Sequence, residues 1–160
     1  MKKYFTRNLC DSDYKQVVDI YNSNHQFLLN HLGVEQIDEA FIREEASTMS
    51  EVGFKSCVIV DKDSQLVQGV IDYKQDKEVY LSLFMLSADL QGKGIGTDIY
   101  SCFEQEMKRG ESDSIRIDVV NDYNGNIVPF WEKNGYIKHD NITIEWGKKK
   151  SNAVVMRKTL

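Results

Sequence analysis

The residues best suited to chemistry, by type and by spacing, are three glycines at alternate positions in Gln91-Gly92-Lys93-Gly94-Ile95-Gly96. Glycine lets the backbone approach a ligand closely and turn several N–H groups towards one point. The apolar run 79–86 predicts a covered strand before the loop, and apolar residues at helical spacing over 95–107 predict a helix after it. Unpaired amides and the positive end of a helix dipole favour an anion, so these residues predict a phosphate-binding loop with Lys93 as an added cation.

The spacing of these glycines excludes two common phosphate-binding motifs. A Walker loop has Ser or Thr after Gly-Lys, whereas Gly92-Lys93 is followed by Gly94. A dinucleotide fingerprint has G-x-G-x-x-G inside an early parallel βαβ unit, whereas this chain has G-x-G-x-G and no such unit. The hypothesis of a phosphotransferase that uses ATP is therefore supported by the glycines alone. A glycine-rich turn without a ligand is the remaining alternative.

The elements around the loop follow the order β, α, α, β, β, β, α, β, α, β, β. Residues 57–86 predict an antiparallel three-strand meander that leads into the loop. Residues 114–120 predict a strand parallel to the one before the loop, because a crossover helix joins them. The other predicted elements are a strand at 3–9, a helix at 14–21 weakened by Asn22-Ser23-Asn24, a helix at about 35–49, a short helix capped by Asn126, and a hairpin of 136–146 and 152–159 with a turn at 147–151.

Length and composition favour one ordinary domain over residues 1–160. The formal net charge of −5 argues against a general nucleic-acid or acidic-membrane partner and suits a cationic amine. Cys10, Cys57 and Cys102 are odd in number and lack metal spacing, which predicts reduced thiols and no metal site. The N-terminus lacks a signal-peptide pattern and no run is long enough to span a bilayer, so we expect a cytoplasmic protein.

The loop resembles the Gln/Arg-x-x-Gly-x-Gly/Ala motif of the GCN5-related N-acetyltransferase (GNAT) family. Residues 124–136, NGNIVPFWEKNGY, are similar to a second segment of that family, and the order of elements is that of its fold. The resemblance implies an α/β (α+β) class and a single-domain GNAT-like fold. Its sheet is expected to be mixed, mostly antiparallel and twisted, with about seven strands flanked by about four helices.

The resemblance also implies an acetyl-CoA site. The family's loop amides hold the pyrophosphate of the cofactor, which here implies Gln91, Gly92, Lys93, Gly94, Ile95, Gly96 and Thr97. In relatives, free amides at the end of the central strand bind pantetheine and the acetyl carbonyl, which by position are those of Phe84, Met85 and Leu86. Asn124 matches an Asn that contacts the cofactor chain, with a simple Asn-Gly turn as the alternative. Trp131 replaces the Tyr that often acts as general acid and is expected to line the thioester site.

The general base is where the chain departs from the family pattern, because Tyr80 stands near the usual strand carboxylate. If the turn at 75–77 pairs Lys74 with Glu78, Asp72 lies opposite Tyr80 and the two could relay a proton. Asp118 is a further candidate, since a charge among apolar strand residues needs a partner or a function. An ion pair between Arg116 and Asp118 explains it equally well. The candidate catalytic residues are therefore Asp118, Tyr80 and Asp72.

These observations predict an acetyl-CoA-dependent N-acetyltransferase acting on a primary amine of a small molecule or peptide, with no nucleic-acid or membrane partner. The missing strand carboxylate and Tyr motivate an alternative, a non-catalytic acyl-CoA-binding sensor or partner-binding module. The acceptor and the oligomeric state, a homodimer included, are left open. Acidic residues of the second helix either attract a cationic acceptor or form a solvated face: Glu35, Asp38, Glu39, Glu44 and Glu45.

Overall fold

The computed structural model describes residues 2–160, in which one sheet has the strand order β1-β2-β3-β4-β5-β7-β6. Neighbouring strands are antiparallel except for β4 and β5, which are parallel. This confirms the predicted mixed, mostly antiparallel sheet. The strands are β1 (Tyr4–Asn8), β2 (Lys55–Asp61), β3 (Val67–Lys74), β4 (Glu78–Leu86), β5 (Ser114–Val120), β6 (Ile137–Trp146) and β7 (Lys149–Thr159).

Five α-helices flank the sheet, where about four were predicted. The additional one is a single turn, α2, which continues into a π-helical turn at Leu28–Leu32. The Asp38 carboxylate accepts a hydrogen bond from the Phe41 N–H at 2.9 Å and starts α3 four residues later than expected. The helices are α1 (Tyr14–Ser23), α2 (His25–Phe27), α3 (Glu39–Glu51), α4 (Ile95–Arg109) and α5 (Val128–Lys133).

The helices cover both faces of the sheet. On one face, here called the α1 face, α1 and α3 pack on β2, β3 and the end of β4 through residues such as Val17, Ile42 and Val70. On the opposite α4 face, α4 and α5 pack on β3, β4 and β5 through residues such as Phe103 and Ile117. Because helices cover both faces, β4 has apolar side chains pointing to each face of the sheet. No helix within residues 2–160 is both long and apolar enough to cross a membrane.

β4 contains a β-bulge at Ser82. Tyr73 pairs with Leu81 and Asp72 pairs with Leu83, so that two positions on β3 face three on β4. The Ser82 hydroxyl donates to the Asp72 carbonyl oxygen at 3.1 Å. The extra residue changes which face of the sheet every second side chain points to. Leu81 therefore packs on the α4 face, whereas Leu83 packs on the α1 face.

The predicted register between β3 and β4 was wrong. Lys74 lies opposite Tyr80 rather than Glu78, and Asp72 lies opposite Leu83 rather than Tyr80. The connection between the paired strands is longer than the tight turn that was expected, and the bulge shifts the register by one residue more. Neither feature has a clear signal in the sequence. A similar difference occurs in the last hairpin, where residues 149–151 extend β7 instead of forming the turn.

β4 and β5 separate after three residue pairs. Glu78 to Tyr80 pair with Ser114 to Arg116. Beyond these residues β4 continues to Leu86 and β5 to Val120 without pairing with each other. Parallel strands that diverge in this way leave an opening in the sheet, here called the β4–β5 cleft. The glycine loop follows β4 at the open end of this cleft.

Candidate active site

The glycine loop has the geometry of an anion site. Gly92 and Gly94 adopt positive φ angles of 74° and 78°, and a Cβ built on either would meet nothing within 4 Å. Gly94 is the N-cap of α4 and no side chain caps the helix. The first N–H groups of a helix have no partner within it, so the amides that follow Gly94 are available to a ligand. Lys93 is exposed beside them.

Gly96 differs from the two preceding glycines because it lies inside α4. A Cβ there would be 3.6 Å from the Phe130 ring and 3.7 Å from Leu86 Cδ1, which is ordinary contact. The first turn of α4 is therefore packed against α5 and the end of β4. This packing fixes the direction in which the loop amides point, and it also places Ile95 and Thr97 at the start of the helix.

The end of β4 presents backbone groups to the cleft. The Ser87 N–H donates to the Gln68 carbonyl oxygen at 2.9 Å, which directs Ser87 towards β3. Because backbone groups alternate along a strand, Met85 also faces β3, whereas Phe84 and Leu86 face the cleft. The Leu86 carbonyl oxygen accepts a hydrogen bond from Asn24 Nδ2 at 2.9 Å, as expected for this orientation. Of the three predicted cofactor-binding amides, two are thus directed into the cleft.

Tyr80 and Asp118 are brought together where the cleft begins. Tyr80 Oη donates to Asp118 Oδ2 at 2.8 Å, and Arg116 donates to both carboxylate oxygens at 2.9 Å and 3.1 Å. Burial, followed by the charge of Asp118, raises the pKa of Tyr80, so its hydroxyl keeps its proton. The ion pair considered for Asp118 is present. The Asp118 carboxylate therefore accepts three hydrogen bonds from these two neighbours.

Asp72 lies apart from that pair, on β3 and on the α1 face. Its neighbours across the sheet are Ser56 on β2 and Leu83 on β4, immediately after the bulge. The pKa of Asp72 is raised to about 6, mainly by burial of its carboxyl; a hydrogen bond with Ser56 lowers it and the negative charge of Glu45 raises it. This value is suited to accepting a proton near neutral pH.

An aromatic cluster of Tyr21, Phe27, Phe41 and Trp146 lies on the same face. The Tyr21 ring meets Phe27 and Phe41 at centroid distances of 6.0 Å and 6.2 Å, and Phe27 meets Trp146 at 5.8 Å. Trp146 Nε1 donates to Glu45 Oε2 at 3.2 Å. Burial and then the negative charges of Asp72 and Glu45 raise the pKa of Tyr21.

His31, in the π-helical turn, extends this surface towards β5. Its ring stacks on Phe27 at 4.3 Å and meets Tyr123 edge-on at 6.0 Å. Its buried Nδ1 has no hydrogen-bond partner among residues 2–160. Burial lowers the pKa of His31 to about 4, so the imidazole is neutral at physiological pH.

Asn124 and Trp131 occupy different environments. Asn124 is exposed in a turn in which Gly125 has a φ of 76°. Trp131 is only 4% exposed and packs against Tyr100 at 5.3 Å and Phe84 at 6.1 Å. Both roles that the resemblance gave them stay predictions. The described residues contain no group of three or more His, Cys, Asp or Glu side chains arranged to hold a metal ion.

Sequence reasoning missed the aromatic cluster and its contact with Glu45. The residues involved come from α1, α2, α3 and β6, and the hydrogen bond between Trp146 and Glu45 joins positions 101 apart. Their spacing along the chain carries no signal of this proximity. Only the acidic character of α3 pointed to the region, without distinguishing Glu45 from its exposed neighbours.

A family model described as an acetyltransferase (GNAT) domain matches residues 19–160, which is most of the chain. The chain belongs to the GNAT family. Membership confirms the resemblance found in the sequence and the expectation of an acyltransferase. A search of curated protein sequences found no match.

Solved structures share the GNAT fold at low sequence identity. Spermidine N-acetyltransferase from Vibrio cholerae, with CoA and spermine, is 13% identical, with 98% of this chain and 95% of that chain covered and a TM-score of 0.74. Ribosomal-protein-alanine N-acetyltransferase from Brucella melitensis is 15% identical, with 98% and 99% covered and a TM-score of 0.69. A phosphinothricin acetyltransferase from Sinorhizobium meliloti, with acetyl-CoA, is 17% identical, with 99% and 89% covered and a TM-score of 0.68. The fold of this GNAT chain thus serves proteins with quite different named acceptors.

Proposed function

We propose that this protein transfers the acetyl group of acetyl-CoA to a primary amine of a small molecule or a peptide. The observation that carries the proposal is the uncapped, glycine-lined start of α4 at the open end of the β4–β5 cleft. A long ligand with a pyrophosphate at one end and a thioester at the other fits this combination of an anion site and a cleft. Membership of the GNAT family supports the same donor.

The loop and the cleft are proposed to bind different parts of acetyl-CoA. The amides from Gly92 to Thr97 and the Lys93 ammonium would hold the pyrophosphate. The cleft-facing backbone groups of Phe84 and Leu86 would hold the pantetheine arm and the acetyl carbonyl. Acetyl-CoA supplies the activated acyl group. A preorganised amide donor to the developing oxyanion is typically worth ~3–4 kcal/mol, so much of the catalysis can come from the backbone.

Asp72 is the proposed general base. An ammonium acceptor loses its proton to the Asp72 carboxylate, and the neutral nitrogen then attacks the thioester carbonyl carbon. The bond between that carbon and sulfur breaks, and the departing CoA thiolate takes up the second proton, which the nitrogen loses as it becomes an amide. Tyr80 and Asp118 are proposed to hold the closed end of the cleft in place, because their hydrogen bonds are already satisfied by each other and by Arg116.

The aromatic cluster is the proposed site of the acceptor. It lies on the α1 face with Asp72 and Glu45, so an amine there would meet apolar rings and two carboxyl groups. A protonated amine attached to an apolar group suits these surroundings, since cations are attracted to both carboxylates and ring faces.

Incubation of the purified protein with acetyl-CoA and a panel of amines tests the proposal. The panel should include amino acids, polyamines, aminoglycosides and peptides with free N-termini, and the released CoA thiol should be measured over time. We expect thiol release above the rate of spontaneous hydrolysis with at least one amine. Absence of acetyl-CoA binding in calorimetry would contradict the proposed function.

A non-catalytic acyl-CoA-binding module is a second candidate. It is favoured by the neutralisation of Asp118 by Arg116 and by Trp131 standing where a Tyr acid is common. This candidate predicts tight binding of acetyl-CoA together with no thiol release across the whole panel. Turnover with any amine would rule it out.

A further inference from the structure

The run Asn22-Ser23-Asn24 joins the end of α1 to two other parts of the molecule. Asn22 exchanges two hydrogen bonds with the backbone of Ile37, at 2.8 Å and 3.1 Å, just before α3. The Ser23 hydroxyl accepts from the Ala88 N–H at 3.1 Å, just after β4. The sequence indicated only that these residues weaken α1. In the structure they link the segment 22–37, which borders the proposed acceptor site and is here called the acceptor side, to the end of β4.

Asn24 contacts both the cleft and the glycine loop. Its Nδ2 donates to the Leu86 carbonyl oxygen at 2.9 Å and to the Ile20 carbonyl oxygen at 2.8 Å. Its Oδ1 accepts a hydrogen bond from Gln91 Nε2, and that nitrogen is also 3.2 Å from the Leu86 carbonyl oxygen. The side chain of the residue that follows α1 is thus bonded to a cleft-facing carbonyl and to the first residue of the loop.

Ligand binding at the loop changes what Gln91 can do. The Gln91 side chain is engaged by Asn24 and by the Leu86 carbonyl oxygen. A pyrophosphate at the loop offers this amide a charged acceptor, and a pantetheine arm competes for the Leu86 carbonyl. Either event alters the hydrogen bonds of Asn24. Asn24 lies where α1 ends and α2 begins, and the chain continues from it to Phe27 of the aromatic cluster and to His31.

We propose that Asn24 is a positioning residue that couples acetyl-CoA binding at the loop to the conformation of the acceptor-side segment 22–37. This inference rests on the proposed function, because it assumes acetyl-CoA as the ligand of the loop. Asn24 acts through Leu86 and Gln91 and itself takes no part in the chemistry. Coupling between two sites is reciprocal. An acceptor that favours the conformation that segment 22–37 adopts with acetyl-CoA bound therefore also strengthens acetyl-CoA binding.

Hydrogen–deuterium exchange with acetyl-CoA as the probe tests this coupling. In wild type, saturating acetyl-CoA should slow exchange in residues 91–97 and also change it in residues 22–37. Asn24→Ala removes hydrogen bonds with which the ligand competes, so it should strengthen acetyl-CoA binding by about fivefold or more, the lower end of usual coupling factors. At saturation it should keep the change in 91–97 and lose the change in 22–37. A purely structural role of Asn24 would not separate the two segments in this way.

Two further variants keep the test decisive. Gln91→Ala removes the same hydrogen bond from the exposed loop, and it should also lose the change in 22–37 at saturation. Asn30→Ala is the matched control, because the Asn30 side chain bonds only to Gln26 within its own turn among the described residues, and it should keep both changes. Wild type that binds acetyl-CoA without any change in 22–37 would overturn the inference. So would a change retained in both Asn24→Ala and Gln91→Ala. No binding to wild type would contradict the proposed function instead.

Discussion

At the scale of single residues, the proposed acid–base chemistry depends on Asp72. An efficient general base has a pKa near the working pH, and burial moves the pKa of Asp72 from 3.8 to about 6. The Asp118 carboxylate is held instead by Arg116 and Tyr80. The carboxyls of Asp72 and Asp118 therefore have different surroundings and different proposed tasks, as base and as structural anchor.

Asp72→Asn removes the proposed base while keeping the size of the side chain. We expect kcat/KM for the amine identified in the panel to fall by about 10²–10⁴-fold, with acetyl-CoA affinity nearly unchanged. In wild type, activity should rise with pH through about 6 as the Asp72 carboxyl ionises. The variant should lack that step in its pH–rate profile. Asp76→Asn, in the exposed turn before β4, is the control.

The stability of the same variant provides an independent check. The folded-state pKa of Asp72 is raised, so its contribution to stability is fully present below about pH 4 and is lost as the pH rises through about 6. The unfolding free energy of Asp72→Asn relative to wild type should therefore increase by roughly 2–3 kcal/mol between pH 4 and pH 8. Denaturant titrations at both pH values measure it. An equal difference at the two pH values would show that Asp72 has an ordinary pKa.

Single residues differed in how far the sequence revealed them. The alternate glycines and Lys93 were evident because anion binding by backbone amides depends on local spacing alone. Tyr80 and Asp118 were each identified, but their contact was not, because it depends on the pairing of β4 with β5. The proposed partner of Tyr80 was Asp72, which a bulge and a longer connection place elsewhere.

At the scale of secondary-structure elements, close packing of β3 on β4 fixes the open end of the cleft. A Cβ on Gly69 of β3 would lie 2.6 Å from the Met85 carbonyl oxygen and 2.8 Å from both Ile59 Cδ1 and Leu86 Cδ2. Backbone oxygen atoms in a sheet cannot move aside as a flexible side chain can. The position therefore requires glycine for steric reasons, although its φ is not in the left-handed region.

Gly69→Ala should force β3 away from the end of β4. We expect the free energy of unfolding to fall by about 1–3 kcal/mol, the usual range for an overpacked site, and acetyl-CoA to bind more weakly. Gly96→Ala is the comparison for stability, since its Cβ makes only ordinary contacts and alanine favours a helix by up to about 1 kcal/mol. Urea denaturation of both variants distinguishes them. Equal stability of Gly69→Ala and wild type would contradict this account of the packing.

Elements were more predictable than their pairing. Apolar periodicity located every strand and the long helices, because burial on one or both faces leaves a pattern in the sequence. The π-helical turn at Leu28–Leu32 and the bulge at Ser82 were not predicted, because each adds one residue to a regular pattern without changing composition. The start of α3 was missed for a related reason, since Glu35 extends the acidic pattern beyond the Asp38 cap.

At the scale of the whole molecule, negative charge is distributed unevenly around the proposed acceptor site. The chain carries a net charge of −5, and most acidic residues of α3 are exposed. Glu45 differs from them because its carboxylate accepts a hydrogen bond from the Trp146 indole N–H and because burial raises its pKa. Net charge alone suggested a cationic partner, and Glu45 is the carboxylate that we propose would meet it.

Glu45→Gln should raise the KM of a cationic acceptor by roughly tenfold or more, because a hydrogen bond to a charged group contributes about 1.5–3 kcal/mol. The dissociation constant of acetyl-CoA should not change. Glu35→Gln and Glu39→Gln, both exposed, should change that KM much less. Equal effects of all three substitutions would assign the attraction to the overall field of α3 rather than to Glu45.

The central claim is that acetyl-CoA binds on the glycine loop, and thermal unfolding of Gly94→Asp tests it most directly. The change adds bulk and a negative charge at the proposed pyrophosphate site, where a Cβ on Gly94 meets no other atom within 4 Å. Gly147→Asp is the matched control, because Gly147 also has a positive φ of 60° and open surroundings but lies in the β6–β7 turn. Both variants should lose some stability from backbone strain alone.

Acetyl-CoA at about 100 times its dissociation constant stabilises the folded state by about 2.7 kcal/mol. For a chain of this size, this corresponds to a rise in Tm of roughly 5–10 °C. We predict that rise for wild type and for Gly147→Asp, and no rise for Gly94→Asp. A folded Gly94→Asp protein whose Tm rises with acetyl-CoA as in wild type would show that the pyrophosphate does not bind at this loop.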